Sequence, residues 1–183
     1  QEKGIIKSGA IELVISNRAD AYALTRAEKA GIKTEVVLRK SCAGSDGFEG
    51  HIMSLLDDNK IDIIVLAGFM AILSEKFTAA YPERIINVHP SLIPSFCGEG
   101  FYGLRVHKAA LDYGVKVTGA TVHFVNEIPD GGRIIMQKAV DIEENDTPEA
   151  LQKRVMENAE WIILPAAAEK VCKEIKERKN ERI

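Results

Sequence analysis

A chain of 183 residues that is 46% hydrophobic and 28% charged can bury one good core, and its length predicts a single domain over 1–183. A formal net charge of −3 and a pI near 5.9 argue against a nucleic-acid partner. No apolar run approaches the roughly 18 residues of a membrane span, and the opening "QEKGIIKSG" has neither the apolar core nor the cleavage site of a signal peptide, so the expectation is a soluble cytoplasmic protein with no membrane partner. Cys42, Cys97 and Cys172 are odd in number and unpatterned, which fits reduced thiols without metal-ligand spacing.

Strand and helix patterns alternate along the first half. "AIELVIS" (10–16) reads as a strand, "YALTRAEKAG" (22–31) as a helix ending at Gly31, and "KTEVVL" (33–38) as a strand. A helix is predicted over about 48–59. "IDIIVLAG" (61–68) follows, a continuous apolar run typical of a parallel strand covered on both faces. A short helix over 74–80 and the strand "RIINVH" (84–89) come next. This alternation predicts βαβ units in an α/β, doubly wound, Rossmann-like sheet that is mostly parallel.

Beyond residue 90 the pattern changes. The glycine-rich "SFCGEGFYG" must be a loop, either a mobile lid or an ordinary connection, and "LRVHKAALDYG" reads as a surface helix opened by His107 and closed by Gly114. "KVTGATVHFV" (116–125) and "GRIIMQKAVDI" (132–142) are joined by "NEIPDG", too short for a crossover helix, and are predicted to pair antiparallel. The rest reads as a long terminal helix. Asp146 or Thr147 caps it, Pro148 lies in its first turn, Pro165 kinks it, and "KEIKERKNER" gives it a solvated end.

Asn87 and His89 are two apart on a strand, so they share a face at its carboxyl end, where ligands bind in open parallel sheets. Pro90 ends that strand. A lone histidine there has an ordinary reading as a core residue, and His123, between Val122 and Phe124, has the same core or supporting reading. Asp130, beside glycines that let backbone approach a ligand, offers a carboxylate that would raise a nearby histidine's pKa and make it a general acid near neutral pH. An amide such as Asn87 can donate to an oxygen gaining negative charge. The three suit attack on a carbonyl. Ser91 follows a proline instead of sitting in a nucleophile elbow, and Cys97 has no clear base. A zinc site from His89, Cys97, His107 and His123 matches no common spacing.

"VLAGFMAILS" (65–74), "INVHPSLIPSF" (86–96), "VTGATVHFVNEIPDGGRIIMQ" (117–137) and "AEWIILP" (159–165) resemble, in order, the phosphoribosylglycinamide formyltransferase family of folate-dependent formyltransferases. The resemblance implies that 10-formyltetrahydrofolate, without a metal, formylates the amine of glycinamide ribonucleotide, a purine precursor, in a monomer or homodimer. It assigns His89 as proton donor, Asn87 to the formyl oxygen, and Asp130 to raising the His89 pKa and ordering a water. Met70, Ala71, Ile72 and Leu73, with Asn126, Glu127, Ile128, Pro129 and Asp130, match the pterin pocket. Glu160 matches a residue that contacts the ribonucleotide, with one extra residue between Arg154 and Glu160.

The family's first strand and phosphate-binding loop have no counterpart here, which predicts that the sequence is part of a longer chain, since a sheet lacking its central strand would expose unpaired edges. Ala71 and Ser45 stand where the family offers arginines to the folate, leaving Arg39 or Lys40 as substitutes. Two other functions remain open: hydrolysis of formyltetrahydrofolate by water, and a non-catalytic folate- or nucleotide-binding fragment. The hydrolase branch carries a second histidine where Pro90 stands.

Overall fold

The structure is a computed structural model that describes residues 4–69 and 71–181. It contains two compact units, one of Gly9–Asp62 and one of Gly4–Ser8 with the chain from Ile63 onward. In the first unit, β1 (Leu13–Ser16) pairs in parallel with β2 (Lys33–Val36) around α1 (Tyr22–Lys29), and α2 (Gly44–Asp58) follows a short 3₁₀ turn. The second helix thus starts earlier than the apolar periodicity indicates, because Gly44 takes φ +74 and turns the chain into it.

The second unit carries a four-stranded sheet in the order β3 (Ile64–Leu66), β4 (Ile85–His89), β5 (Val117–Phe124), β6 (Ile134–Asp141). β3 and β4 are parallel and joined through α3 (Glu75–Ala80), whereas β4–β5 and β5–β6 are antiparallel. α4 (Leu104–Tyr113) ends at Gly114 in the left-handed conformation, as its sequence predicts.

The pleat of β4 and β5 separates core from site. Ile86 on β4 and Ala120, Val122 and Phe124 on β5 face a core completed by Leu151, Val155, Ala159, Ile163, Ala167 and Val171. Successive strand residues alternate faces, so Asn87, His89, Thr121 and His123 share the opposite side. The register places His123 opposite Asn87 and Thr121 opposite His89. Beside His123, the β5–β6 ladder shifts register, a bulge of the kind that re-aims side chains near functional sites.

The terminal helix has three parts: α5 (Pro148–Val155), a π turn (Met156–Glu160) and α6 (Trp161–Asn180). Its buried stripe recurs every four residues from Leu151 to Val171. On an unbroken α-helix each such step drifts by about 40° around the axis; the wider π turn takes up part of that drift and accommodates one additional residue. The irregularity therefore lies at 156–160, while α6 continues through Pro165.

Thr147, not Asp146, caps α5: its hydroxyl accepts from the Ala150 amide at 3.2 Å. Asp146 instead accepts from Arg154 and from the Glu143 amide. Replacing Thr147 by Ala should cost about 1 kcal/mol in chemical denaturation. Unchanged stability would show that Asp146 or Pro148 fixes the helix start alone.

Candidate active site

The side chains at the carboxyl end of β4 meet the loop that follows β5. Asp130 is reached through an Asx turn, in which Asn126 Oδ1 accepts from the Ile128 amide at 3.1 Å, and a tight turn, in which the Gly131 amide donates to the Ile128 carbonyl at 2.9 Å. Asp130 itself has φ +55, a conformation that aspartate tolerates better than most residues. A Cβ on Gly132 would lie 1.8 Å from the Phe124 carbonyl oxygen. That glycine serves close packing of the protein's own backbone, a different role from the ligand approach expected of it.

The Asp130 carboxylate sits between two histidines. Oδ2 lies 3.4 Å from His89 Nδ1 and accepts from the Gly98 amide at 2.8 Å, and Oδ1 lies 3.4 Å from His123 Nε2. His89 Nε2 is 2.9 Å from the Phe96 carbonyl. Since a carbonyl only accepts, Nε2 carries the proton and Nδ1 faces the carboxylate. His123 Nδ1 likewise donates to the Phe124 carbonyl at 2.8 Å, so Nε2 of the neutral ring can accept from Asn87 Nδ2 at 3.4 Å. His123 is therefore more than a core residue: it touches both Asn87 and Asp130.

Burial pushes the His89 pKa down, the Phe96 carbonyl and Asp130 push it up, His123 adds to the depression, and the net direction is down. This corrects the expected net rise: Asp130 acts in the expected sense, but at 4% exposure desolvation outweighs it. Burial works to raise the Asp130 pKa, yet His123, the Gly98 amide and His89 together hold it below the usual carboxylate range. Burial, then Asp130, raise the Cys97 thiol, which leaves it a poor nucleophile.

The remaining expected contacts have mixed placements. Leu73 is buried, Ala71 half-buried and Ile72 exposed; Met70 lies outside the described residues. Glu127, Ile128 and Pro129 are exposed. Glu160 is half-buried at the end of the π turn, and burial raises its pKa. His107 departs most from expectation. It is fully buried in α4, and neither ring nitrogen has a hydrogen-bond partner among the described residues. The zinc arrangement is not formed: among the described residues no group of three or more His, Cys, Asp or Glu is placed to hold a metal ion.

The sequence profile described as Formyl transferase matches residues 2–167. The chain belongs to that family. Among relatives, it is 44% identical over 162 residues to the trifunctional purine biosynthetic protein adenosine-3 of Gallus gallus, covering 88% of this chain and 16% of that one. It is 39% identical over 150 residues to the chloroplastic phosphoribosylglycinamide formyltransferase of Arabidopsis thaliana, covering 81% of this chain and 51% of that one. The chain thus spans about half or less of these two curated relatives. The crystal structure of glycinamide ribonucleotide transformylase 1 from Symbiobacterium toebii superposes with a TM-score of 0.86 at 37% identity, covering 94% of this chain and 78% of that one. Membership in the formyl transferase family agrees with the α/β architecture, the antiparallel C-terminal strands and the long terminal helix. Among the described residues no helix is long and apolar enough to cross a membrane.

His107 gives a measurable consequence. Burial, then the neighbouring His89, lower its pKa from 6.5 to about 4. Between those values the unfolded chain binds the proton and the folded one does not, so stability rises with pH across the window and is lost as pH falls through it. The full interval is worth roughly 3 kcal/mol. His107→Gln should flatten this part of the profile in denaturant titrations at pH 7 and pH 4.5. An equal slope in both proteins would show that His107 is already paired or charged.

Proposed function

We propose that the chain transfers the formyl group of 10-formyltetrahydrofolate to the amine of glycinamide ribonucleotide, a step of purine biosynthesis. The reading is carried by one observation: the Asp130 carboxylate in contact with both His89 and His123, with Asn87 opposite His123 on the same sheet face. The family match, the printed names of its relatives and the sequence resemblance supply the chemistry.

In this reaction the substrate nitrogen attacks the formyl carbon, the carbonyl oxygen becomes an alkoxide, and the bond from carbon to the folate nitrogen then breaks. The attacking nitrogen loses a proton and the leaving nitrogen gains one. Asn87 spends one amide hydrogen on His123 and has a second to donate to the developing oxyanion. His89 is the proton donor. Its lowered pKa makes the acid form scarcer at neutral pH but a stronger donor when present, and Asp130 offsets part of that scarcity by stabilising the imidazolium. The segments 70–73 and 126–130 form the pterin pocket in this reading, and Glu160 contacts the ribonucleotide.

A formyl-transfer assay with both substrates on the full-length protein tests the proposal. His89→Ala and Asp130→Asn should each lower kcat at least about a hundredfold with little change in KM, because both groups act mainly in the transition state. Wild-type turnover with only a raised KM would refute the catalytic assignment. Formate release that does not depend on the amine would identify a hydrolase instead.

A further inference from the structure

The loop after β4 holds a backbone outlier that touches the site. Phe96 has φ +49, a left-handed conformation uncommon for a bulky side chain and one that persists only where its surroundings impose it. Its carbonyl accepts from His89 Nε2 at 2.9 Å. Two residues later Gly98, at φ +86, donates its amide to Asp130 Oδ2 at 2.8 Å. The Phe96 ring packs near Phe101 of the glycine-rich loop, at 6.4 Å between centroids, and near Tyr113 of α4, at 6.0 Å. These separations are in the range of favourable aromatic pairs.

We infer that Phe96 is a positioning residue: its left-handed backbone fixes the His89 proton on Nε2 and leaves Nδ1 as the nitrogen that exchanges a proton in front of Asp130. The carbonyl can only accept and the Gly98 amide can only donate. Together they select one tautomer of the histidine and the ionised form of the carboxylate, the arrangement that turns a ring and a carboxyl group into a proton-transfer pair. Phe101 and Tyr113 hold the turn through the Phe96 ring, so the glycine-rich loop is coupled to the protonation of the site. The charged and titratable groups acting on His89 are Asp130 from the loop and His123 from β5, and His89 in turn acts on His107 of α4. Phe96 adds the accepting dipole that none of them supplies at Nε2.

The inference rests on His89 being the proton donor, but its test reads the ring directly. Long-range proton–nitrogen correlation spectra of the nitrogen-labelled full chain report the His89 tautomer. Wild type should show a single Nε2–H form. Phe96→Ala, which loses the ring and disfavours positive φ, should show mixed tautomers and a kcat about tenfold lower with KM little changed. Phe96→Tyr should restore both. Phe96→Gly should keep more of the Nε2–H form than Phe96→Ala, because glycine adopts the left-handed conformation freely. A residue acting only by packing would give the reverse order, since glycine fills less space. Phe101→Ala, more distant from the turn, should give an intermediate tautomer ratio. Unmixed Nε2–H in Phe96→Ala, or a greater loss in Phe96→Gly than in Phe96→Ala, would overturn the inference. Mixed tautomers with unchanged turnover would uphold the positioning of the ring and refute His89 as the proton donor.

Discussion

A carboxylate whose side chain is only 13% exposed remains an anion only where donors or groups that can become cations surround it, and Asp130 imposes that requirement on the structure around it. One oxygen faces His123; the other takes the Gly98 amide and faces His89. The Gly98 amide always donates, whereas His89 Nδ1 and His123 Nε2, in the tautomers set by the Phe96 and Phe124 carbonyls, donate to Asp130 only when their rings take up a proton. Each of these groups is delivered by a different local device. β5 brings His123, the left-handed turn after Pro94 brings Gly98, and the end of β4 brings His89. The loop from Asn126 to Gly131 must fold back tightly to place Asp130 among them, which is why Gly132 lies where a Cβ would strike the Phe124 carbonyl.

The same two strands that build the site also build the core. One face of β4 and β5 is apolar and closes against α5, the π turn and α6; the other carries Asn87, His89, Thr121 and His123. Burying a polar face is costly unless its groups are paired. Here Thr121 donates to the Ser91 carbonyl at 2.7 Å and accepts from the Ile93 amide and from Gln137, which ties the loop after His89 to the sheet. The strand residues of the site are thus held in place by the packing and hydrogen bonds of the second unit.

That Asn87 and His89 share a strand face near Asp130 was legible, because strand periodicity, a terminating proline and a glycine-flanked acid leave a pattern in side-chain identity. The alternation of strand and helix, the antiparallel pairing of "KVTGATVHFV" with "GRIIMQKAVDI" and the Gly114 stop were legible for the same reason. Phe96 and Gly98 were not, since they act through backbone groups that every residue possesses and only the turn geometry aims. The burial of His107 was hidden because a polar residue between Val106 and Lys108 fits either face of an amphipathic helix until its neighbours are known. For His89, sequence reveals a possible charge partner but not the depth of burial that opposes it and sets the net direction. The supporting reading of His123 becomes specific once β4 and β5 are aligned antiparallel, because it is then the residue opposite Asn87.

The central claim is that Asp130 holds part of the His89 proton affinity against the desolvation that lowers it. Nuclear magnetic resonance titration of the His89 ring in the wild type and in Asp130→Asn tests this directly. The account predicts that the wild-type ring titrates below the ordinary histidine value and that Asp130→Asn moves it lower still, because the favourable carboxylate is removed while burial remains. An unchanged or higher His89 pKa in Asp130→Asn would contradict it.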